Sequence, residues 1–370
     1  MKFSCEKALL QGAIATASRA VSPKSSIPAM EGILVEAGDD LRLTGYNLET
    51  GIRTTLEADI SGKGSLVLDA RLFGDIVRKM PDDVITVSAD GLNVHIVCGI
   101  SEFNIQGIDP QEFPELPSVD YRNTVSVKRC VLRDMIGETL FAVSTNESRP
   151  VHTGSLFEVG ETTLTVVSVD GYRLALRRES FESKEGNPGF SFVVPGAALS
   201  EVEKICGDTE ETASISQGAR HVLFRIGNTM LVSRRLDGEF LAYEKAIPRN
   251  NPIVVYGDKR ALLTTIERVS LIISDKLKSP LRCTFDRDLL TIKTKTAVSD
   301  AYDECAIDGD GTGLEIGFNN RYLMDALKAA PADRVRIELS TGVSPCIILP
   351  AEGEENFLYM VLPVRLRAGE

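Results

Sequence analysis

Three stretches of this 370-residue chain run in register with one another, and that repetition limits the folds open to it. They are FSCEKALLQGAIATASRAVS (3–22), VSVKRCVLRDMIGETLFAVS (125–144) and VYGDKRALLTTIERVSLIIS (255–274). Offsets of 122 and 130 residues align Leu10 with Leu132 and Leu262, and Ile14 with Ile136 and Ile266. The same offsets align Val21 with Val143 and Ile273, and Lys7 with Arg129 and Lys259. Apolar residues at steps of four, seven and eleven mark one face of an amphipathic helix. Each copy therefore reads as a few strand residues followed by a helix.

A second set follows in the same order. LDARLFGDIVRKMP (68–81), VPGAALSEVEKICG (194–207) and FNNRYLMDALKAAP (318–331) align Phe73 with Leu199 and Leu323, and Asp75 with Glu201 and Asp325. Each is preceded by a β-rich run, and alternating apolar residues follow, as in VITVSA and VRIEL. Two helices and many strands per copy predict an α+β chain of three similar domains, 1–122, 123–250 and 251–370. Polar, turn-forming stretches near 118–123 and 248–252 mark the boundaries. IDPQEFPELP (108–117) and LDGEFLAYEKAIP (236–248) end the first two copies in similar ways.

Net charge is −12, which taken alone argues against nucleic acid as a partner. The distribution of charge reverses that argument. Counting 100° per residue, Arg71, Arg78, Lys204, Arg321 and Lys328 fall opposite the apolar face of the second helices. Arg19, Arg260 and Arg268 do the same on the first helices, and Lys259 lies near a helix start. The helical stretches taken together are basic, so the excess acid lies on strands and loops. Such helices suit phosphates without reading bases. With no Trp and no aromatics among the charges, duplex backbone contact is favoured over stacking on single strands.

No residue pattern points to catalysis. Seven cysteines are widely spaced with no CxxC pair, as in reduced, mostly buried cytosolic thiols. His95, His152 and His221 match no metal spacing. The Asp-Gly of DGYRL (170–174) reads as a turn rather than as a catalytic acid. Neither a leader nor a long apolar run is evident, and a cytoplasmic protein without cofactor or metal is expected.

The ordered set MKF, ESRPVHTG (147–154), VDGYRLAL (169–176), LDGEF (236–240), IGFNNRYL (316–323) and YMVLPVRL (359–366) resembles the bacterial DNA polymerase III beta subunits, the sliding clamps, over essentially the whole chain. The resemblance implies the DNA clamp fold: three domains per protomer, each with two helices on antiparallel sheets, and two protomers joined head to tail in a ring around duplex DNA. It implies a non-catalytic processivity factor that tethers a polymerase and docks short peptides of the polymerase catalytic subunit, the clamp loader and other replication and repair proteins.

Carried over by position, Lys24, Arg71 and Arg149 resemble DNA-contacting residues, and Phe103 and Ile105 would meet Ile272 and Ile273 of a partner. The client-peptide pocket takes His152, Val169, Gly171, Tyr172, Arg173, Leu174 and Leu176, with Leu241, Lys245 and Ala246. It is completed by Asn319, Tyr322, Val343, Ser344, Met360, Val361, Leu362, Pro363, Val364 and Arg365. The chain departs from the family pattern at His152, where leucine is usual, at Leu241, where proline is usual, and at Lys245, where arginine is frequent. Arg367–Glu370 extend beyond the usual terminal Arg-Leu. Two other readings stand beside this one: a clamp-like paralogue that sequesters client proteins, and a repeat-built enzyme.

Overall fold

A computed structural model describes residues 1–118, 123–181, 189–274 and 279–366. The boundary read near 118–123 and the extension 367–370 thus fall wholly or mostly outside the described residues. All six expected helices form: α1 (Lys7–Ser18), α2 (Ala70–Lys79), α3 (Arg129–Gly137), α4 (Gly196–Cys206), α6 (Lys259–Ser270) and α7 (Asn320–Ala329). A single-turn helix, α5 (Tyr243–Ala246), is additional.

Local chemistry sets the helix starts. The Asp69 carboxylate accepts from the Leu72 N–H (2.6 Å), Asp258 from Ala261 (2.7 Å), and Asn319 from Arg321 (3.0 Å) and Tyr322 (3.3 Å). Each cap satisfies amide donors that the first turn leaves without a helical partner.

The helix ends differ from the sequence reading. Val21, Val143 and Ile273 lie beyond α1, α3 and α6. In each case their N–H reaches back three residues instead of four: Val21 to Ser18, Val143 to Leu140 and Ile273 to Ser270. The last turn tightens and turns the chain off the helix axis, which the apolar periodicity alone does not reveal. After α3 the buried Thr139 hydroxyl donates to the Met135 carbonyl (2.8 Å) and ends the helix early.

The chain packs into two compact units, Met1–Arg133 with Ala197–Arg235, and Asp134–Gly196 with Leu236–Glu370. In the first unit a five-stranded sheet runs in the order Asp59–Gly62, Lys2–Glu6, Val84–Asp90, Asn93–Cys98, Ser101–Gln106. Its second sheet has eight strands. The first-repeat strands Gly32–Ala37, Leu41–Tyr46, Thr50–Leu56 and Gly64–Asp69 continue into His221–Ile226 and Thr229–Arg234 of the second repeat. The junction is antiparallel pairing of Thr229–Ser233 with Thr50–Thr54, and buried Thr229 donates its hydroxyl to Thr54 there (3.1 Å). Phe3, Leu10, Ile14, Phe73 and Val77 form the core under α1 and α2.

The second unit repeats the plan in a ten-stranded sheet. Arg173–Arg177 of the second repeat pair with Phe357–Val361 of the third. Under α6 and α7 lie Leu262, Ile266, Leu323, Leu327, Phe318 and Tyr359. The hairpin of Leu281–Lys295 and Asp300–Phe318 shifts register near Asp288, which takes a positive φ of 58°. The central repeat gives one edge to each unit, so sequence repeats and compact units do not coincide. The Cys206 and Cys346 thiols, buried and unbridged, are pushed up to about 12 by burial and stay protonated at neutral pH.

Gly45 shows how closely helix and sheet approach. A Cβ there would lie 2.0 Å from the Ala17 carbonyl oxygen of α1, whereas one at exposed Gly12 would meet nothing within 4 Å. Gly45→Ala is expected to destabilise the protein by about 2 kcal/mol or more, because backbone has to move. Gly12→Ala is expected to stabilise it by about 0.5–1 kcal/mol through helix propensity. Chemical denaturation of both variants checks the pair.

Candidate functional site

The site lies within the second unit, where the DGYRL turn, the last strand and the start of α7 meet. Asp170 organises the turn. One carboxylate oxygen accepts from the Tyr172 N–H (2.9 Å) and the Arg173 N–H (3.0 Å), and Gly171 supplies the positive φ of 91°. The Asp-Gly is therefore a side-chain-stabilised turn.

Arg173 holds the parts together. Its Nε donates to Asp170 (3.0 Å) and its Nη1 to Asp325 of α7 (2.6 Å). The guanidinium plane sits 4.5 Å from the Tyr322 ring centre and 5.3 Å from that of Phe141. A planar, five-donor group meets two carboxylates and two ring faces at once, which an ammonium cannot do. Tyr172 stacks on Tyr322 at 5.9 Å, so the exposed turn and the helix share an aromatic lip.

Beneath the lip the seam strands sort their side chains by alternation. Val169, Leu174, Leu176 and Met360 are buried in an apolar cluster with Val151, Tyr243, Ile347 and Leu349. Leu362 packs half-buried on the same cluster, and its N–H donates to the Tyr172 carbonyl (2.8 Å), which extends the seam beyond the strand. Val361 is a correction to the pocket expected from sequence. It is fully buried with Tyr359 in the other core, under α7, because neighbouring residues on a strand face opposite sides. Leu174, also fully buried, serves as floor rather than as a contact.

Tyr172 (61% exposed), Val343 (70%), Leu241 and Val364 are exposed apolar residues, and Lys245, Ala246 and Arg365 are exposed as well. Asn319 is committed to capping α7; Ser344 and Pro363 are half-buried. Val364 donates its N–H to the Gly317 carbonyl (2.8 Å), and a Cβ on Gly317 would strike the Val364 carbonyl oxygen at 2.4 Å.

A cleft of about 560 Å3 opens on the lip between Ser144, Arg149, His152, Tyr172, Arg321 and Tyr322. His152 belongs to the turn Pro150–Thr153 and is 9% exposed, with its ring edge-on to Phe240 at 5.6 Å. Burial, assisted by Arg149, holds its pKa below the ordinary histidine value, so the ring is neutral at pH 7. Sequence reasoning missed Phe141, Val151, Asp325, Phe240 and Tyr243. Tyr243 donates to Glu158 (2.5 Å) on the neighbouring strand. The likeness of 236–248 to 108–117 was the available signal, since Leu236 and Ile108 make the same isolated bridge to the strand before the second helix.

The helix bases divide into two groups. Lys24, Arg71, Arg149 and Arg260 are exposed with no ion-pair partner among the described residues. Others are engaged: Arg19 (3.0 Å) and Lys204 (2.7 Å) share Glu201, Arg78 pairs with Asp75 (2.5 Å), and Lys328 with Glu267 (3.0 Å). Arg321 is exposed at the first turn of α7 and lines the cleft. Lys259 is a correction to the DNA-facing set. It is half-buried and its ammonium donates to the Ala330 carbonyl at the end of α7 (2.8 Å), a C-terminal cap rather than a free charge.

Of the residues expected at a dimer contact, Phe103 is 41% exposed on the outermost strand of the five-stranded sheet, and Ile105 packs half-buried on that unit's core. Ile272 and Ile273 are half-buried after α6, Ile273 against the core of the second unit.

Arg173→Lys keeps the charge but loses the planar fork. A loss of about 3 kcal/mol in unfolding free energy is expected from breaking a buried pair. Faster amide exchange at the start of α7 is expected with it. Denaturation and hydrogen exchange measure both.

Comparison with known proteins gives consistent results. Family models for the DNA polymerase III beta subunit match as the N-terminal domain at 1–117, the central domain at 126–241 and the C-terminal domain at 244–365. The beta sliding clamp of Staphylococcus aureus is 33% identical over 359 residues, 94% of each chain. A putative DNA polymerase III beta subunit from Eubacterium rectale superposes with a TM-score of 0.93 at 30% identity, covering 98% of this chain and 99% of that one. The DNA polymerase sliding clamp of Bacillus subtilis gives a TM-score of 0.93 at 28% identity, over 99% and 100% of the two chains.

Proposed function

Because the chain belongs to the DNA polymerase III beta subunit family, and so works as a DNA sliding clamp, we propose that two copies close head to tail into a ring around duplex DNA. The observation that carries this is the pair of unused strand edges. Each seam joins the last strand of one repeat to the corresponding inner strand of the preceding repeat: Thr229–Arg234 to Thr50–Leu56, and Phe357–Val361 to Arg173–Ser180. By the same rule Ser101–Gln106, the last strand of the first repeat, lacks a partner on its outer side, and so does the stretch from Asp300 to Ile307 in the third, among the described residues. Open edges invite pairing, and these two are each other's complement. One chain leaves both of these edges open, whereas two chains can pair each with the other.

The seams supply a register. Ser101 follows its hairpin turn as Thr229 does, and Asp300 follows its turn as Gly51 does. Carrying over the pairing of Thr229 with Thr54 puts Ser101 opposite the partner's Asp303, Glu102 opposite the partner's Tyr302 and Phe103 opposite the partner's Ala301. Phe103 then turns inward, as Leu231 and Tyr359 do at the internal seams, both fully buried.

Within the ring the exposed helix bases hold phosphates loosely and without sequence preference. Several bases already share carboxylates, which weakens the hold and favours sliding over tight binding. Retention comes from topology instead. The exposed apolar residues and the cluster at the second seam take short peptides of the polymerase and of other replication proteins, an extended segment with apolar anchors. The role is non-catalytic, cytoplasmic and free of cofactors.

Replacing Glu102 and Tyr302 together by cysteine is expected to link the ring covalently under mild oxidation. Denaturing gels under non-reducing conditions then show a dimer that single replacements do not give. The linked ring, loaded before oxidation, is expected to stay on nicked circular DNA and to leave linear DNA through its ends. Equal loss from both would defeat the topological reading.

A further inference from the structure

The cleft beside the aromatic lip has a floor unlike the rest of the site. Ser144, Arg149, Asp170 and Arg321 line it with the Tyr172 and Tyr322 rings, and among them His152 sits more than nine-tenths buried. Its main chain is fully used: the N–H donates to the Arg149 carbonyl (3.0 Å), and the carbonyl accepts from Ser144 (2.9 Å). Its ring touches Phe240 edge-on, and no group among the described residues hydrogen-bonds either ring nitrogen. A neutral imidazole carries one donor and one acceptor. Left dry by a bound segment, both are desolvated without return, and an unsatisfied buried polar group is costly.

We propose that His152 determines specificity at the peptide site, selecting a segment whose anchor side chain at the cleft carries a hydroxyl or carboxamide over one that is purely aliphatic or aromatic. The inference rests on the peptide-site reading above. A hydroxyl and a carboxamide each offer donor and acceptor, so either satisfies the ring in either tautomer. A lysine anchor fits less well, because it would face Arg149 and Arg321. The neutral state of the ring at pH 7, caused by burial and Arg149, agrees with recognition through uncharged hydrogen bonds.

The test uses the full-length protein and capped hexapeptides with adjacent Leu and Phe anchors. Two variants change one anchor at a time to a near-isostere, either Leu to Asn or Phe to Tyr. Calorimetric titration at pH 7.5 is expected to show one polar variant binding the native protein at least about fivefold tighter than the parent peptide, the range set by satisfying one buried polar group. In His152→Leu the order is expected to reverse, and in His152→Gln, which keeps a donor and an acceptor, to persist. If the all-apolar parent binds the native protein tightest, or if His152→Leu leaves the ratio unchanged, the proposal is overturned. If no hexapeptide binds at all, the peptide-site reading itself is overturned, a result distinct from tight binding without preference.

Discussion

Main-chain pairing between repeats is the interaction on which the rest depends. Each repeat builds sheets that end in an open strand, and an open strand is stable in water only if it is covered, charged or paired. The chain pairs two of its edges internally, through Thr229–Ser233 with Thr50–Thr54 and through Arg173–Arg177 with Phe357–Val361. These ladders explain why three sequence repeats yield two compact units, since the central repeat is divided by its own hydrogen bonds. They also explain how the apolar last strand is used on both its faces. Phe357, Tyr359 and Val361 fill one core while Met360 and Leu358 face the other cluster.

The same ladder makes the site. Arg173 begins the seam strand, and its guanidinium leaves the ladder to join Asp325 of α7 and the ring of Tyr322. A strand from one repeat and a helix from the next are thereby held in a fixed relation. A binding surface built across a seam has rigid walls because main-chain hydrogen bonds on both sides define it. Preorganisation of this kind lowers the ordering cost of capturing a flexible peptide.

Much of this was legible in the sequence, and the failures are instructive. Periodicity located six helices, because that signal is local. It overran the helix ends at Val21, Val143 and Ile273, where the backbone changes to three-residue bonds without any change in polarity. Resemblance brought together the strand, turn and helix of the site but could not separate Val361 from Met360. Which face a residue takes is a matter of ladder register, fixed here by Leu174 opposite Met360. Nor could a helical wheel tell Lys259 from Arg260. They are adjacent and equally basic, yet one caps the end of α7 and the other is exposed.

That last distinction bears on how an acidic protein can work on a polyanion. Counting Lys and Arg on helix faces overstates the attraction, since Arg19 and Lys204 share one carboxylate and Arg78 and Lys328 each have another. What remains unpaired is a thin set of charges, Lys24, Arg71, Arg149 and Arg260 among them. For a protein that had to find and grip a sequence, this would be a poor surface, because non-specific affinity grows with each phosphate neutralised. For one held on DNA by closure of its own sheet edges, strong contacts would act as a brake. In the proposed ring the labour would divide accordingly: edge pairing supplies retention, and partly neutralised helices keep the contact weak enough to move.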